Sequence, residues 1–174
     1  MSEFENKADY FDDMTSDIQD YECKAMVEKA ENVVLTFAGT TGVTGAVPIP
    51  FADAPLLIGQ QAAMMVAING IFGFNVEKDA LASLAAMALG VGGATVIGKT
   101  VASNLLKFIP GVGTVAGGVI SGGTAGVITL ALGKAYIGVC QAIKMGQLDQ
   151  DELTRQAGRD MLKQKFKEQM KKSK

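Results

Sequence analysis

Residues 114–146, TVAGGVISGGTAGVITLALGKAYIGVCQAIKMG, form a long apolar stretch rich in glycine. The stretch is too long for one strand and has no turn signals at strand spacing, so it predicts a helix. Glycines spaced by four lie along one stripe of a helix and allow a neighbouring backbone to approach closely. We therefore predict closely packed, glycine-lined helices. The predicted helix-packing glycines are Gly113, Gly117, Gly118, Gly122 and Gly126.

Helical patterns also account for most of the chain outside this stretch. A helix is expected from about Thr15 to the prolines at 48 and 50, which forbid its continuation. Further helices are expected over 54–73, with Asp53 as N-cap, from Glu77 onward, and over 93–108. The runs 33–47 and 112–130 are rich in valine and threonine, but they lack turn signals at strand spacing. We predict an all-α fold, a compact bundle of about five to six helices.

The charges divide the 174-residue chain into three segments. Residues 1–14 are predicted to be a flexible acidic arm, 15–148 a hydrophobic helical domain and 149–174 an amphipathic basic helix. Residues 1–31 carry a net charge of −7 and residues 149–174 a net charge of +3, against −2 for the whole chain. Asp149 with Glu152 predicts a capping box that opens the last helix. Its predicted apolar stripe is Leu153, Ala157, Met161 or Leu162, Phe166 and Met170.

The basic tail has two interpretations. Its bases are either a solvated end of the chain or a contact surface for anionic lipid. The predicted membrane-surface residues are Lys163, Lys165, Lys167, Lys171, Lys172 and Lys174.

The stretch GATVIGKT, residues 93–100, fits the phosphate-loop pattern G-x-x-x-x-G-K-[ST]. A working phosphate loop follows a buried strand, whereas the preceding residues LASLAAMALGVG predict a helix. We therefore interpret the match as accidental. The competing hypothesis is NTPase activity through Lys99 and Thr100.

The composition offers few groups for chemistry. The chain has no histidine, and Cys23 and Cys140 stand far apart with no metal-ligand spacing. We expect no catalytic residue, no metal, no cofactor and no nucleic-acid partner. Gln60, Gln61 and Asn69 lie in an apolar helix, where we expect interhelical hydrogen bonds.

Uncharged runs over 32–52, 54–76, 80–98 and 108–133 are long enough to enter a membrane. Amides in the second run and the PGVG break in the fourth weaken that interpretation. A soluble bundle with apolar surfaces buried between subunits is the alternative. The acidic start, MSEFENKADYFDDM, does not fit a secretory signal, so we expect a cytoplasmic location.

Two stretches, residues 46–74 and 105–139, carry a family resemblance. Their motifs PIPxxDxP, KFIPGVG and TLALGKAYI resemble an uncharacterised hydrophobic helical domain. That domain is found after Era-like small GTPase domains and in YcjF-type bacterial membrane proteins. The resemblance covers roughly residues 25–145 and implies an all-α module associated with GTPases or membranes, without established catalytic residues.

These observations together predict a non-enzymatic helical module at the cytoplasmic face of a bacterial cell membrane, peripheral or inserted. Expected partners are an anionic membrane surface, a separate Era-like GTPase, or further copies of the chain. The alternative function is a soluble homo-oligomeric assembly or adaptor.

Overall fold

In the computed structural model, the backbone is described for residues 2–44, 49–50, 54–90, 119–120 and 122–173, and the side chains for 14–39, 57–90 and 125–173. This part contains five α-helices and a short 3-10 helix at Gln150–Glu152. The α-helices are α1 (Ser2–Thr44), α2 (Ala54–Phe72), α3 (Lys78–Ala88), α4 (Gly122–Lys144) and α5 (Gln156–Lys172). The predicted all-α bundle is confirmed.

Two short strands, β1 (Ile49–Pro50) and β2 (Val119–Ile120), pair antiparallel with Ile49 opposite Ile120. They connect the chain just after α1 to the chain just before α4. Each strand has two residues, so the pairing joins two connections and forms no sheet layer.

Helix α4 lies at the centre of the bundle and packs against α1, α2 and α5. Apolar residues occur on nearly all sides of α4, so most of its surface is buried. Between positions 125 and 144, Lys134 is the exposed residue. Helix α1 runs antiparallel to it, since Val34 lies at Gly133 while Gln19 Nε2 donates to the carbonyl of Lys144 at 3.0 Å. Helix α3 packs on α2 and α5 and contributes Leu81 and Leu84 to the core.

Helix α2 runs parallel to α4. Gln61 meets Thr129, and eight residues further along α2 Asn69 meets Tyr136. Between these contacts α2 buries Met64, Met65 and Ile68 completely. The two helices therefore lie side by side with a nearly constant offset in register.

Helix boundaries differ from the sequence prediction at both ends of the chain. Helix α1 begins at Ser2 and is continuous to Thr44, so residue 15 marks no structural boundary. The predicted capping box does not open the last helix. Asp149 precedes the 3-10 helix without a side-chain cap, and α5 begins only at Gln156. Asp53 and the predicted helix over 93–108 lie outside the described residues.

Candidate functional site

The exposed surface of α5, together with its N-cap Arg155, carries a row of bases at every fourth position. Residues four apart stack along a helix as a continuous ridge. Each of the last four bases directly follows a buried residue, so the basic row runs beside the ridge that packs on the bundle. The buried ridge is Gly158, Leu162, Phe166 and Met170, and the basic row is Arg155, Arg159, Lys163, Lys167 and Lys171.

Most of this basic row is not neutralised by neighbouring acids. The one ion pair recorded among the described side chains joins Arg155 Nη1 to Glu152 Oε1 at 3.2 Å. The two acids of α5 accept hydrogen bonds from glutamines instead, Asp160 from Gln156 and Glu168 from Gln164. The charge of the other four bases is therefore available to a partner.

The structure describes five of the six lysines that were predicted to contact a membrane surface. Lys163, Lys167, Lys171 and Lys172 are exposed as expected. Lys165 is half-buried, and its Cδ would lie 3.0 Å from a Cβ added at Gly138 of α4. Lys174 lies outside the described residues. Arg155 and Arg159 were not among the predicted residues, although they are exposed and continue the four-residue spacing from Lys163.

The predicted helix-packing glycines are only partly covered. Gly122 is the first residue of α4 and Gly126 is half-buried on it, while Gly113, Gly117 and Gly118 lie outside the described residues. The close approach of α1 to α4 occurs instead at Gly133. A Cβ at that position would lie 2.5 Å from both methyl groups of Val34.

Two amides of α2 form buried contacts with α4, as predicted for Gln61 and Asn69. Gln61 Nε2 donates to Thr129 Oγ1 at 2.8 Å, and the Tyr136 hydroxyl donates to Asn69 Oδ1 at 2.7 Å. Gln61 Oε1 and Asn69 Nδ2 have no recorded hydrogen-bond partner. Gln60 is half-buried, and its predicted interhelical bond remains a prediction.

The Asn69–Tyr136 contact also includes the Cys140 thiol, 4.0 Å from Asn69 Oδ1. Burial raises the pKa of Tyr136 and of Cys140 far above their ordinary values. Both groups are therefore neutral at physiological pH, and the cluster serves to hold α2 against α4.

One helix among the described residues is long and apolar enough to cross a membrane, Ala125–Lys144, and Leu57–Phe72 is a shorter apolar helix. However, 61% of the longer segment is buried inside the bundle. In this conformation its apolar side chains contact α1, α2 and α5. The segment is a core helix of the closed bundle.

The phosphate-loop motif at 93–100 lies outside the described residues. The element before it is α3, so a helix precedes the motif as the sequence predicted. Within the described side chains, no group of three or more histidine, cysteine, aspartate or glutamate residues could hold a metal ion.

Comparisons with known proteins cover most of the chain. The family model DUF697, described as a domain of unknown function, matches residues 10–168. Magnetosome membrane protein 22 of Magnetospirillum gryphiswaldense is 29% identical over 112 residues, 62% of this chain and 55% of that relative. The chain thus corresponds to about half the length of this curated relative. No solved structure matches the chain.

Proposed function

Because the chain belongs to the DUF697 family of domains of unknown function, we propose that it is a non-enzymatic helical module that binds the cytoplasmic face of an anionic membrane. The observation that carries the proposal is the basic row on α5. Four of its bases are exposed and outside any recorded ion pair. Each base at an anionic lipid surface contributes about 1 kcal/mol of attraction.

The similarity to a protein named as a magnetosome membrane protein supports a membrane location. The closed bundle favours a peripheral attachment over insertion of α4. Opening it would expose the buried α2–α4 contacts and the core side chains that cover α4. The module therefore lies on the membrane surface with its core intact.

Flotation of the full chain with vesicles tests the proposal. The protein should float with vesicles that contain phosphatidylglycerol and stay behind with neutral phosphatidylcholine vesicles. Raising the ionic strength should release it, since surface charge interactions are screened. Equal flotation with both lipids, or none with either, contradicts the proposal.

A matched pair of variants locates the contact. Replacing Lys163, Lys167 and Lys171 together by Gln should weaken binding to anionic vesicles on the order of 100-fold, because three charges are lost at the surface. The control replaces Lys29, Lys78 and Lys134 by Gln; these lysines are also exposed but lie on other helices. The control has the same net charge as the α5 variant and should bind the vesicles nearly as well as the unmodified chain. Equal losses in both variants would remove α5 from the mechanism.

A separate Era-like GTPase is the protein partner that we propose, and the sequence resemblance is what supports it. Titrating the chain into such a GTPase loaded with a non-hydrolysable GTP analogue tests this proposal by calorimetry. The result expected is binding that depends on the bound nucleotide, and the absence of heat with either GTP or GDP forms contradicts it.

A further inference from the structure

Helix α1 has apolar residues on two opposite faces. One face packs into the bundle and buries Ala30 and Val34. On the other face Met14, Ile18 and Tyr21 are 42%, 52% and 75% exposed. We call Met14, Ile18, Tyr21 and the half-buried Ala25 the outer stripe of α1.

The outer stripe lies where α1 reaches the end of the bundle. Gln19 donates to the carbonyl of Lys144, the last residue of α4, so Met14 and Ile18 lie beyond that end. Every residue from 14 to 22 is exposed. A helical segment that is so largely exposed is only marginally stable in water, so pairing along its apolar side would stabilise it.

We propose that two copies of the chain pair antiparallel through the outer stripes of their α1 helices. The spacing of four, three and four residues along the stripe is the a/d spacing of a two-helix coiled coil. In an antiparallel register, Ile18 packs opposite Tyr21 of the second copy, and Met14 packs opposite its Ala25. Each of these two residue pairs then occurs twice, related by a two-fold axis.

The charged residues beside the outer stripe favour a second copy of the chain in the antiparallel direction. In the antiparallel register Asp17 lies beside Lys24 of the second copy, and the symmetry repeats this attractive pair. A parallel pair would instead place Asp17 beside Glu22 and Lys24 beside Lys29, which are like charges. The charge pattern is therefore self-complementary in one direction only.

One further observation supports a second copy as the occupant. Leu35 is 57% exposed at a later position of the same heptad pattern. The net charge of −7 over residues 1–31 disfavours an anionic membrane on this face, and a second copy meets the same repulsion except where its Lys24 lies beside Asp17.

The first test measures mass by light scattering over a concentration series without lipid. The chain should approach twice its 18.1 kDa mass. Ile18→Asp places a charge in the seam and should weaken dimerisation by at least about tenfold. The control Val66→Asp alters another exposed apolar residue, on α2, and should leave dimerisation unchanged. A monomer at every concentration, or equal effects of both variants, overturns the proposal.

The second test examines the register. Asp17→Lys and Lys24→Asp should each weaken the homodimer, roughly threefold or more. Mixing these two variants should form a heterodimer in which both flanking pairs are attractive, and the double variant should dimerise like the unmodified chain. Failure of both rescues overturns the antiparallel register. Because no lipid is present, these outcomes are independent of the membrane proposal.

Discussion

Gly133 lies directly against Val34 where α1 packs on α4. Its missing side chain makes room for the two methyl groups of Val34, which a Cβ at position 133 would meet at 2.5 Å. Gly133→Ala should therefore lower the free energy of unfolding by about 1–3 kcal/mol, the range for overpacking a core. Urea denaturation followed by circular dichroism measures this change.

Gly70 provides the control for this substitution. It lies in α2, and a Cβ there would meet nothing within 4 Å. Gly70→Ala should stabilise the protein by about 0.5–1 kcal/mol, because alanine is the better helix former. Combining Gly133→Ala with Val34→Ala should cost less than the sum of the two single changes. Additive losses would show that the steric contact is not the cause.

Tyr136 is the second residue with a specific predicted effect. Tyr136→Phe removes the hydroxyl that donates to Asn69 Oδ1 inside the core. The expected loss is about 1–3 kcal/mol of unfolding free energy, since a buried acceptor is left without this donor. Tyr21→Phe, at an exposed tyrosine, should change stability little in the same denaturation experiment. Similar losses at both tyrosines would contradict the structural account.

The raised pKa values of Tyr136 and Cys140 predict a loss of stability at high pH. Their burial favours the protonated forms in the folded state. Their stabilising contribution is therefore complete below the unfolded-state pKa values, about 8.5 for cysteine and about 10 for tyrosine. Above each value the unfolding free energy should fall by about 1.4 kcal/mol per pH unit and group. Cys140→Ala should reduce the earlier part of this decline, to which Cys23 also contributes because burial raises its pKa, and an unchanged profile would contradict the assignment.

The sequence predicted that amides in an apolar helix would bond to other helices, because a buried amide needs partners. The sequence could not identify Thr129 and Tyr136 as the hydrogen-bond partners, because the pairing depends on the parallel direction and the offset of α2 and α4. Gly133 was missed for a similar reason. It is not part of a four-residue glycine repeat, and its importance comes from where Val34 crosses α4.

On α5, substitutions of neighbouring bases are expected to have different effects. Arg159→Gln should weaken binding to anionic vesicles about fivefold, as expected for one surface charge of about 1 kcal/mol. Lys165→Gln should alter vesicle binding less, because the stem of Lys165 packs against Gly138. Its main effect should be a lower free energy of unfolding. Flotation and urea denaturation of both variants separate the two roles, and equal losses of binding would contradict the division.

The element boundaries show where sequence patterns suffice. Helix α2 ends at Phe72 and α3 begins at Lys78, close to the predictions, because glycine and the polar residues between them terminate a helix clearly. The apolar stripe of α5 was predicted at Leu162, Phe166 and Met170, which are buried, whereas Ala157 is exposed. The capping-box pattern was misleading because a 3-10 turn intervenes before α5.

At the scale of the whole molecule, the acidic and basic ends of the sequence lie on different helices of one bundle. Helix α1 carries the acidic segment, α5 carries the basic row, and α4 lies between their packing surfaces. The family resemblance from three sequence motifs is confirmed by the match over residues 10–168. Hydropathy identified α4, but only the packing of three helices around it indicates that it is a core helix.

A disulfide between α1 and α4 would hold this bundle closed. The disulfide would join Gly133→Cys to Val34→Cys. A Cβ at 133 would lie 3.1 Å from Cβ of Val34, which is shorter than the roughly 3.5–4.5 Å of natural disulfides, so the two helices must move slightly apart to form it. Val34→Cys also removes the methyl groups that would clash. Cys23→Ala and Cys140→Ala prevent other pairings, and the reduced form is the matched control.

The most direct test of the account is flotation of this locked protein with phosphatidylglycerol vesicles, before and after reduction. A surface contact through α5 predicts equal binding in the oxidised and reduced forms, and loss of binding in both when Lys163, Lys167 and Lys171 are replaced by Gln. Binding that appears only after reduction would contradict the account, since α4 would then have to leave the bundle to reach the lipid.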